Sequence, residues 1–212
     1  MTILAKSNHS FPGGVHPPEN KYLTSESSIQ AGPAVKNVAI MLSQHTGAIC
    51  QPIVKKSDTV KAGQKIGDND AFISAPVHSP VNGKVKDITL QSHAILGRSL
   101  AILIESDAAD NPVKEPSFTK FGDDFDAEFF APEKIRDAVR DAGIVGMGGA
   151  GFPTRVKIEP NPTMSGRTLI INGCECEPYI TCDYRVMMEW TYQVIAGTKL
   201  DRRASECSQV II

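Results

Sequence analysis

Strong charge of either sign is missing from this chain of 212 residues. Lys and Arg number 22 against 24 Asp and Glu, for a formal net charge of −2. Without a basic stripe there is nothing to neutralise a phosphate backbone, so no nucleic-acid partner is expected. No window approaches about 18 consecutive apolar residues, so no membrane-spanning helix is expected either. The opening stretch "MTILAKSNHSFPGG" lacks an apolar h-region and is not expected to act as a signal peptide. Cysteine is scarce: Cys50, Cys174, Cys176, Cys182 and Cys207. An odd count with no C-x-x-C argues against a disulfide framework. The nearest approach to a metal pattern, Cys174-x-Cys176-x5-Cys182, does not match a four-donor spacing, so reduced thiols beside a turn are expected and no metal ligand is assigned. No Ser-His-Asp order is readable, and Cys50 has no identifiable activating partner. His9, His16, His45, His78 and His93 lie in turn-like sequence and read as surface or capping residues, so no catalytic side chain is assigned.

What is present divides the chain into four stretches. Residues 1–35 are rich in Pro, Gly and Ser; "FPGGVHPPENK" excludes a helix or central strand and predicts an extended, wrapping arm. Residues 36–106 read as all-β, with short apolar runs broken by turn residues. Asn82-Gly83 between two strand-like runs is a hairpin signal. The half-motifs "SDTVKAGQKIG" and "HAILGRSLAIL" form a pseudo-repeat around "APV…GKV". This arrangement resembles the barrel-sandwich hybrid of biotinyl and lipoyl carrier domains. The stretch "DNDAFIS", where a carrier displays its modified Lys, has none, so the fold is kept and the swinging-arm role is rejected. Residues 107–131 read as a linker that partly packs.

From residue 132 the pattern turns to α/β. Pro132 suits the first position of a helix, with Ile135, Ala138, Val139 and Ala142 on one face and Gly143 as the stop. The loop "GMGGAGFPT" follows, with Gly146-x-Gly148-x-x-Gly151 spaced like a dinucleotide fingerprint. It follows a helix rather than a strand, so the Rossmann context fails. Phe152 stands where a Walker loop needs Lys. "RTLIING", residues 167–173, is a continuous apolar run as in a buried strand. It leads into "CECEPYITCD", which places Asn172, Glu175 and Glu177 at a strand end, where ligands of open α/β sheets sit.

The compound pattern of helix, glycine loop, Lys157 and strand ending "NGCECEP" resembles the flavin-binding subunit of respiratory complex I. With "FPGGVHPPENK", "QHTGAICQPIVKKSDTVKAGQKIG", "SAPVHSPVNGKV" and "INGCECEPYITCDYRVMME", it is similar, over about residues 8–189, to the C subunit of Rnf electron-transport complexes. The resemblance implies a multi-domain α+β chain: a barrel-sandwich hybrid followed by the front part, residues 132–212, of an FMN/NADH-binding domain. It implies that Gly146, Gly148, Gly149 and Gly151 bring bare backbone against FMN, free of Cβ atoms and able to adopt left-handed conformations. Lys157 would add positive charge, Asn172 and Glu175 would hydrogen-bond the flavin, and Glu177 would meet NADH. Cys174 stands where Ala or Asp is expected. The implied partners are other Rnf subunits at the cytoplasmic side of the bacterial inner membrane, with electrons passing between NAD(H) and ferredoxin through 4Fe-4S clusters, coupled to ion movement. The cluster ligands are not in this sequence, and its last two dozen residues read as leaving the family pattern after Glu189. The chain therefore reads as truncated and inactive alone. The alternative is a non-catalytic assembly piece whose barrel docks partner subunits.

Overall fold

The computed structural model describes residues 17–107, 125–161, 163 and 166–212. Seven strands build the barrel: β1 (Asn37–Met41), β2 (Gln51–Pro52), β3 (Thr59–Val60), β4 (Lys65–Asp68), β5 (Val77–His78), β6 (Gly83–His93) and β7 (Gly97–Ser106). They form two antiparallel sheets, ordered β1-β7-β6-β3 and β2-β4-β5. The alternation Val81, Gly83, Val85 inward against Lys84 and Lys86 outward directs one face of β6 to the core. Leu42, Cys50, Val60, Ile66, Val77, Val81, Val85, Ile102 and Ile104 fill the space between the sheets. This is the barrel-sandwich hybrid expected for this stretch.

The hairpin expected at Asn82-Gly83 is a correction. Strand β5 pairs with β4 alone, whereas β6 pairs with β3 and β7, so the dipeptide carries the chain from one sheet to the other. Neither residue has the positive φ that a type I′ turn requires. Gly83 is needed for space: a Cβ there would run into the Glu105 carbonyl of β7. The long hairpin is β6–β7. Its turn is residues 94–96, followed by Gly97 at φ 69°. His93 Nδ1 accepts from the Ile95 and Leu96 N–H groups at 3.1 Å each, which caps the turn.

The second part holds α1 (Pro132–Asp141), α2 (Thr154–Lys157), α3 (Cys182–Glu189) and α4 (Thr191–Ser205), with β8 (Thr168–Ile170) and β9 (Gln209–Ile211) paired in parallel. Pro132 opens α1 and Gly143 follows it at φ 68°, as expected. The buried stripe differs from expectation. Ile135 and Val139 face the small core with Ile158, Leu200 and Ala204, but Ala138 and Ala142 are exposed and Arg136 is buried. That guanidinium is tolerated because Nη1 donates to the Ala204 carbonyl at 2.6 Å and Glu133 lies 3.4 Å away. The buried strand expected in "RTLIING" is a second correction. Leu169 is half-buried and Ile170 is 68% exposed, because β8 has one partner strand and its outer face is uncovered among the described residues.

Several connections join the two parts. Arg140 of α1 reaches Asp68 of β4 at 3.0 Å, and Lys65 bridges Asp68 and Asp141 at 3.2 and 3.1 Å. Gly143 packs under the Pro76 carbonyl and the His78 ring. From residue 17 onward the N-terminal stretch, which includes a 3-10 turn at Lys21–Leu23, contacts the second part; the motif "FPGGVH" lies outside the described residues. Its Glu19 carbonyl accepts the Tyr179 N–H at 2.8 Å, and Lys21 donates to the Glu175 and Ile180 carbonyls at 2.7 and 3.1 Å. The Ile29 N–H donates to Glu189, and Arg185 donates to the Ser25 carbonyl. Of the expected linker, residues 107 and 125–131 are described. Phe125 and Phe130 stack with centroids 6.2 Å apart, and their carbonyls accept from Lys199 and Arg203 of α4.

Candidate nucleotide site

The glycine loop, residues 145–153, is pinched at its base. Val145 and Pro153 form an isolated β-bridge, and the Gly146 N–H donates to the Phe152 carbonyl at 3.0 Å. Pro153 is fully buried and Thr154 starts α2, so the loop is held by a short rigid stem. Between the stem residues the backbone is open. Among the described residues, the N–H groups of Met147, Gly148, Gly149, Ala150 and Gly151 donate to no carbonyl or side chain. A Cβ added at Gly148 or Gly149 would meet nothing within 4 Å. Consecutive free amides beside open space form a nest suited to an anion.

The four glycines do different jobs. Only Gly151 has a positive φ, 62°, and it packs against the Gln44 carbonyl of the barrel. The left-handed conformation expected of the loop glycines is therefore confined to that one position. Gly146 lies under Lys157, whose Nζ is 2.5 Å from where a Cβ would stand. Lys157, the last residue of α2, thus points its ammonium at the loop backbone. Its charge also acts on Asp201 of α4: burial pushes that carboxyl up, and Lys157 pulls the other way.

Asn172, Glu175 and Glu177 lie on the turn between β8 and α3. Asn172 Oδ1 accepts the Cys174 N–H at 2.9 Å, which shapes the turn. Glu175 caps α3: its carboxylate accepts from the Asp183 N–H at 2.8 Å and the Tyr184 N–H at 3.2 Å. Burial would raise this carboxyl, but the Cys182 thiol and the two amides, with Lys21 beyond them, outweigh it and hold it below the ordinary Glu range. The Cys182 thiol donates to the same carboxylate at 3.0 Å and is itself pushed up, first by that bond and then by burial. Glu175, Cys182 and Asp183 offer donor atoms within 4.8 Å of one another. Helix capping and a neutral thiol account for that cluster. Glu177 is exposed. The structure thus brings Lys157 to the glycine loop and Glu175 to the α3 amides, with Asn172 and Glu177 beside the latter.

No motif signals that the barrel touches the loop, yet it does. The Thr46 N–H donates to the Gly151 carbonyl at 3.2 Å, and Thr46 Oγ1 donates to the Ala150 carbonyl at 2.5 Å. His45 sits behind Thr46, with Nε2 at 3.2 Å from the Ala75 N–H and 3.6 Å from the Cys50 thiol. Burial pushes that thiol up, so Cys50 packs as an inert neutral group. A groove of about 700 Å³ runs between the barrel and the glycine loop. Its two walls are far apart in the chain, and contacts of that kind carry no local sequence signal.

Two family descriptions match the chain: the RnfC barrel sandwich hybrid domain over residues 9–109, and the Nuo51 FMN-binding domain over residues 139–212. The C subunit of the Na(+)-translocating ferredoxin:NAD(+) oxidoreductase complex of Acetobacterium woodii is 42% identical over 193 residues, covering 90% of this chain and 42% of the relative. The C subunit of the proton-translocating ferredoxin:NAD(+) oxidoreductase complex of Clostridium ljungdahlii is 41% identical over 192 residues, covering 90% of this chain and 41% of the relative. The C subunit of the ion-translocating oxidoreductase complex of Rhodobacter capsulatus is 39% identical over 203 residues, covering 96% of this chain and 38% of the relative. The chain therefore spans about two-fifths of the length of these curated relatives. The match to residue 212 corrects the expectation that the family pattern ends near Glu189; that tail folds as α4 and β9. With the barrel and FMN-binding descriptions matched in this order, the chain belongs to the RnfC family.

Proposed function

We propose that residues 132–212 supply the front of a site for FMN and NADH, and that residues 36–106 form the hybrid barrel beside it. Together with the length its relatives have in addition, the chain would pass electrons between NAD(H) and ferredoxin through 4Fe-4S clusters, coupled to ion movement. It would do so at the cytoplasmic face of the inner membrane, docked on other Rnf subunits. No helix among the described residues is long and apolar enough to cross a membrane. The observation that carries the reading is the loop: five free amides in a row, open space at Gly148 and Gly149, and the Lys157 ammonium aimed at Gly146. These residues fit a phosphate-bearing flavin. Lys157 and the loop would hold its charge, while Asn172 and the Glu175-capped turn would border it. FMN, when bound, takes a hydride and releases electrons singly; the protein's part is to hold and orient it.

A second reading, an assembly piece, is favoured by one observation: Tyr184 and Met188 of α3 and Tyr192 and Ile195 of α4 are each exposed.

FMN titration by fluorescence quenching tests the first reading. The wild-type chain is expected to quench. Gly149→Val is expected to weaken binding roughly tenfold or more, the loss of a charge-assisted bond and of open space. Its melting temperature should stay unchanged, because the new side chain meets no protein atom. Equal binding by both proteins, or none by the wild type, overturns the site.

A further inference from the structure

Thr181 stands at the N-cap position of α3, where a Thr hydroxyl ordinarily accepts from the second or third amide of the helix. Here it makes no such bond. Those two amides, of Asp183 and Tyr184, donate instead to Glu175 at 2.8 and 3.2 Å. Thr181 is buried, and its hydroxyl turns the other way and donates to Thr24 Oγ1 at 3.0 Å. Thr24 passes the bond on: its own hydroxyl donates to the Tyr179 carbonyl at 2.7 Å. Thr24 belongs to the N-terminal arm, 155 residues from Tyr179 in the chain. The arm holds the same turn at two further points. The Lys21 ammonium joins the Glu175 and Ile180 carbonyls, and the Glu19 carbonyl takes the Tyr179 N–H. Both backbone groups of Tyr179 are thus bonded to the arm. Its φ of 68° is a left-handed conformation that a bulky residue keeps only where its surroundings impose it.

We propose that the arm decides which side chain caps α3, and that by engaging Thr181 it assigns the cap to Glu175. While Thr24 accepts the Thr181 hydroxyl, the Glu175 carboxylate has the α3 amides to itself and is fixed there, against the Cys182 thiol. Without the Thr24 hydroxyl, Thr181 rotates into the cap that its position favours, and the Glu175 carboxylate comes free. Thr24 and Lys21 are therefore positioning residues that act through Glu175. The consequence for flavin rests on the proposed function, in which the Glu175-capped turn borders FMN; the placement of Glu175 does not. An arm that merely stabilises the turn differs in one respect: its loss loosens the turn whatever side chain stands at position 181.

The test uses the full 212-residue chain and two readouts: alkylation of Cys182 at neutral pH, followed by peptide mass spectrometry, and FMN titration by fluorescence quenching. Thr24→Val keeps the shape of the side chain and removes its hydroxyl. Cys182, relieved of the Glu175 carboxylate, should then react several-fold faster, while the exposed Cys174 and Cys176 keep their rates. FMN affinity should fall about fivefold, the scale of one helix cap. Thr24→Ser retains the hydroxyl and should keep both values. Thr181→Val alone should leave the Cys182 rate as it is, because Glu175 already holds the cap. The deciding protein is the double variant Thr24→Val, Thr181→Val. With no competing hydroxyl the cap returns to Glu175, and the Cys182 rate should fall back to that of the wild type. An unchanged Cys182 rate in Thr24→Val overturns the proposal. So does a double variant that reacts as fast as Thr24→Val, since the turn is then only loosened. A Cys182 response with unaltered FMN affinity overturns the extension to the flavin. No FMN binding by the wild type overturns the flavin reading alone, and the Cys182 rates still decide the exchange of caps.

Discussion

The barrel and the α/β module both rely on aliphatic side chains but bury them differently. In the barrel, nine side chains from two sheets close on one another, and Leu42, Ile66 and Ile102 have no exposed surface. In the module, Ile135, Ile158 and Ala204 are the buried cluster, while Ile170, Tyr192, Ile195 and Ile211 stand exposed. The module's order is borrowed: from the arm across its β8–α3 turn, and from the Asp68–Arg140 pair at the barrel. A closed barrel thus acts as the rigid base, and the glycine loop lies where the open module meets it. That suits a loop whose amides must stay free, because positions are fixed by the stem and by Thr46 instead of by the loop's own bonds.

The largest effect should come from breaking the base. Ile102→Ala leaves a cavity in a fully enclosed core and should cost about 2–5 kcal/mol. Ile135→Ala, in a core of three residues, should cost less, since its neighbours can relax into solvent-facing space. Urea unfolding followed by far-UV circular dichroism on both variants checks the difference. Equal losses would mean that the two parts fold as one unit and that the contrast is false.

What was legible in the sequence follows the same division. Short-range signals worked: Pro132 opening α1, Gly143 ending it, and turn residues separating strands. They also failed locally where a longer contact took over. Asn82-Gly83 looks like a hairpin, but the approach of the Glu105 carbonyl decides what that glycine does. The helix face of α1 was misjudged because Ala204, on a distant helix, offers Arg136 a buried acceptor. Of the site, the loop, Lys157 and the turn with Asn172 and Glu175 were legible as motifs. The capping role of Glu175 was not, since it depends on where α3 begins, and the barrel wall was not, since nothing local marks it.

A smaller effect should sharpen the contrast at its seam. Burial would raise the Asp68 carboxyl, but the Asn69 N–H, Lys65 and Arg140 hold it below the ordinary Asp range. Its folded pKa is therefore lower than its unfolded one. The stabilisation is complete above the ordinary carboxylate pKa of about 3.9 and is lost as pH falls through the folded value. Asp68→Asn should cost about 1 kcal/mol at neutral pH, because the cluster is partly exposed. The unfolding midpoints of the variant and the wild type should converge below about pH 4. A constant gap down to about pH 2 would show that packing, not charge, joins barrel to α1.

The smallest effect belongs to the module alone, at Glu175. In Glu175→Gln the one remaining oxygen still accepts from the Asp183 N–H, while the exposed Tyr184 N–H, which bonds the other carboxylate oxygen, turns to water; the cap is weakened and its charge is lost. A charge at the first turn of a partly exposed helix contributes about 0.5 kcal/mol, and the loss in stability should be of that order. The sharper readout is the neighbouring thiol. Cys182 is pushed up first by its bond to this carboxylate, then by burial. Removing the negative charge takes away the main cause, and the positive end of α3 then favours thiolate. Alkylation of Cys182 at neutral pH, followed by peptide mass spectrometry, should therefore run several-fold faster in the variant. Cys174 and Cys176, which are exposed and whose side chains do not bond to Glu175 among the described residues, serve as internal references and should keep their rates. An unchanged Cys182 rate would mean that Glu175 does not face the thiol in solution, and the turn bearing Asn172 and Glu175 would then be ordered by the arm alone.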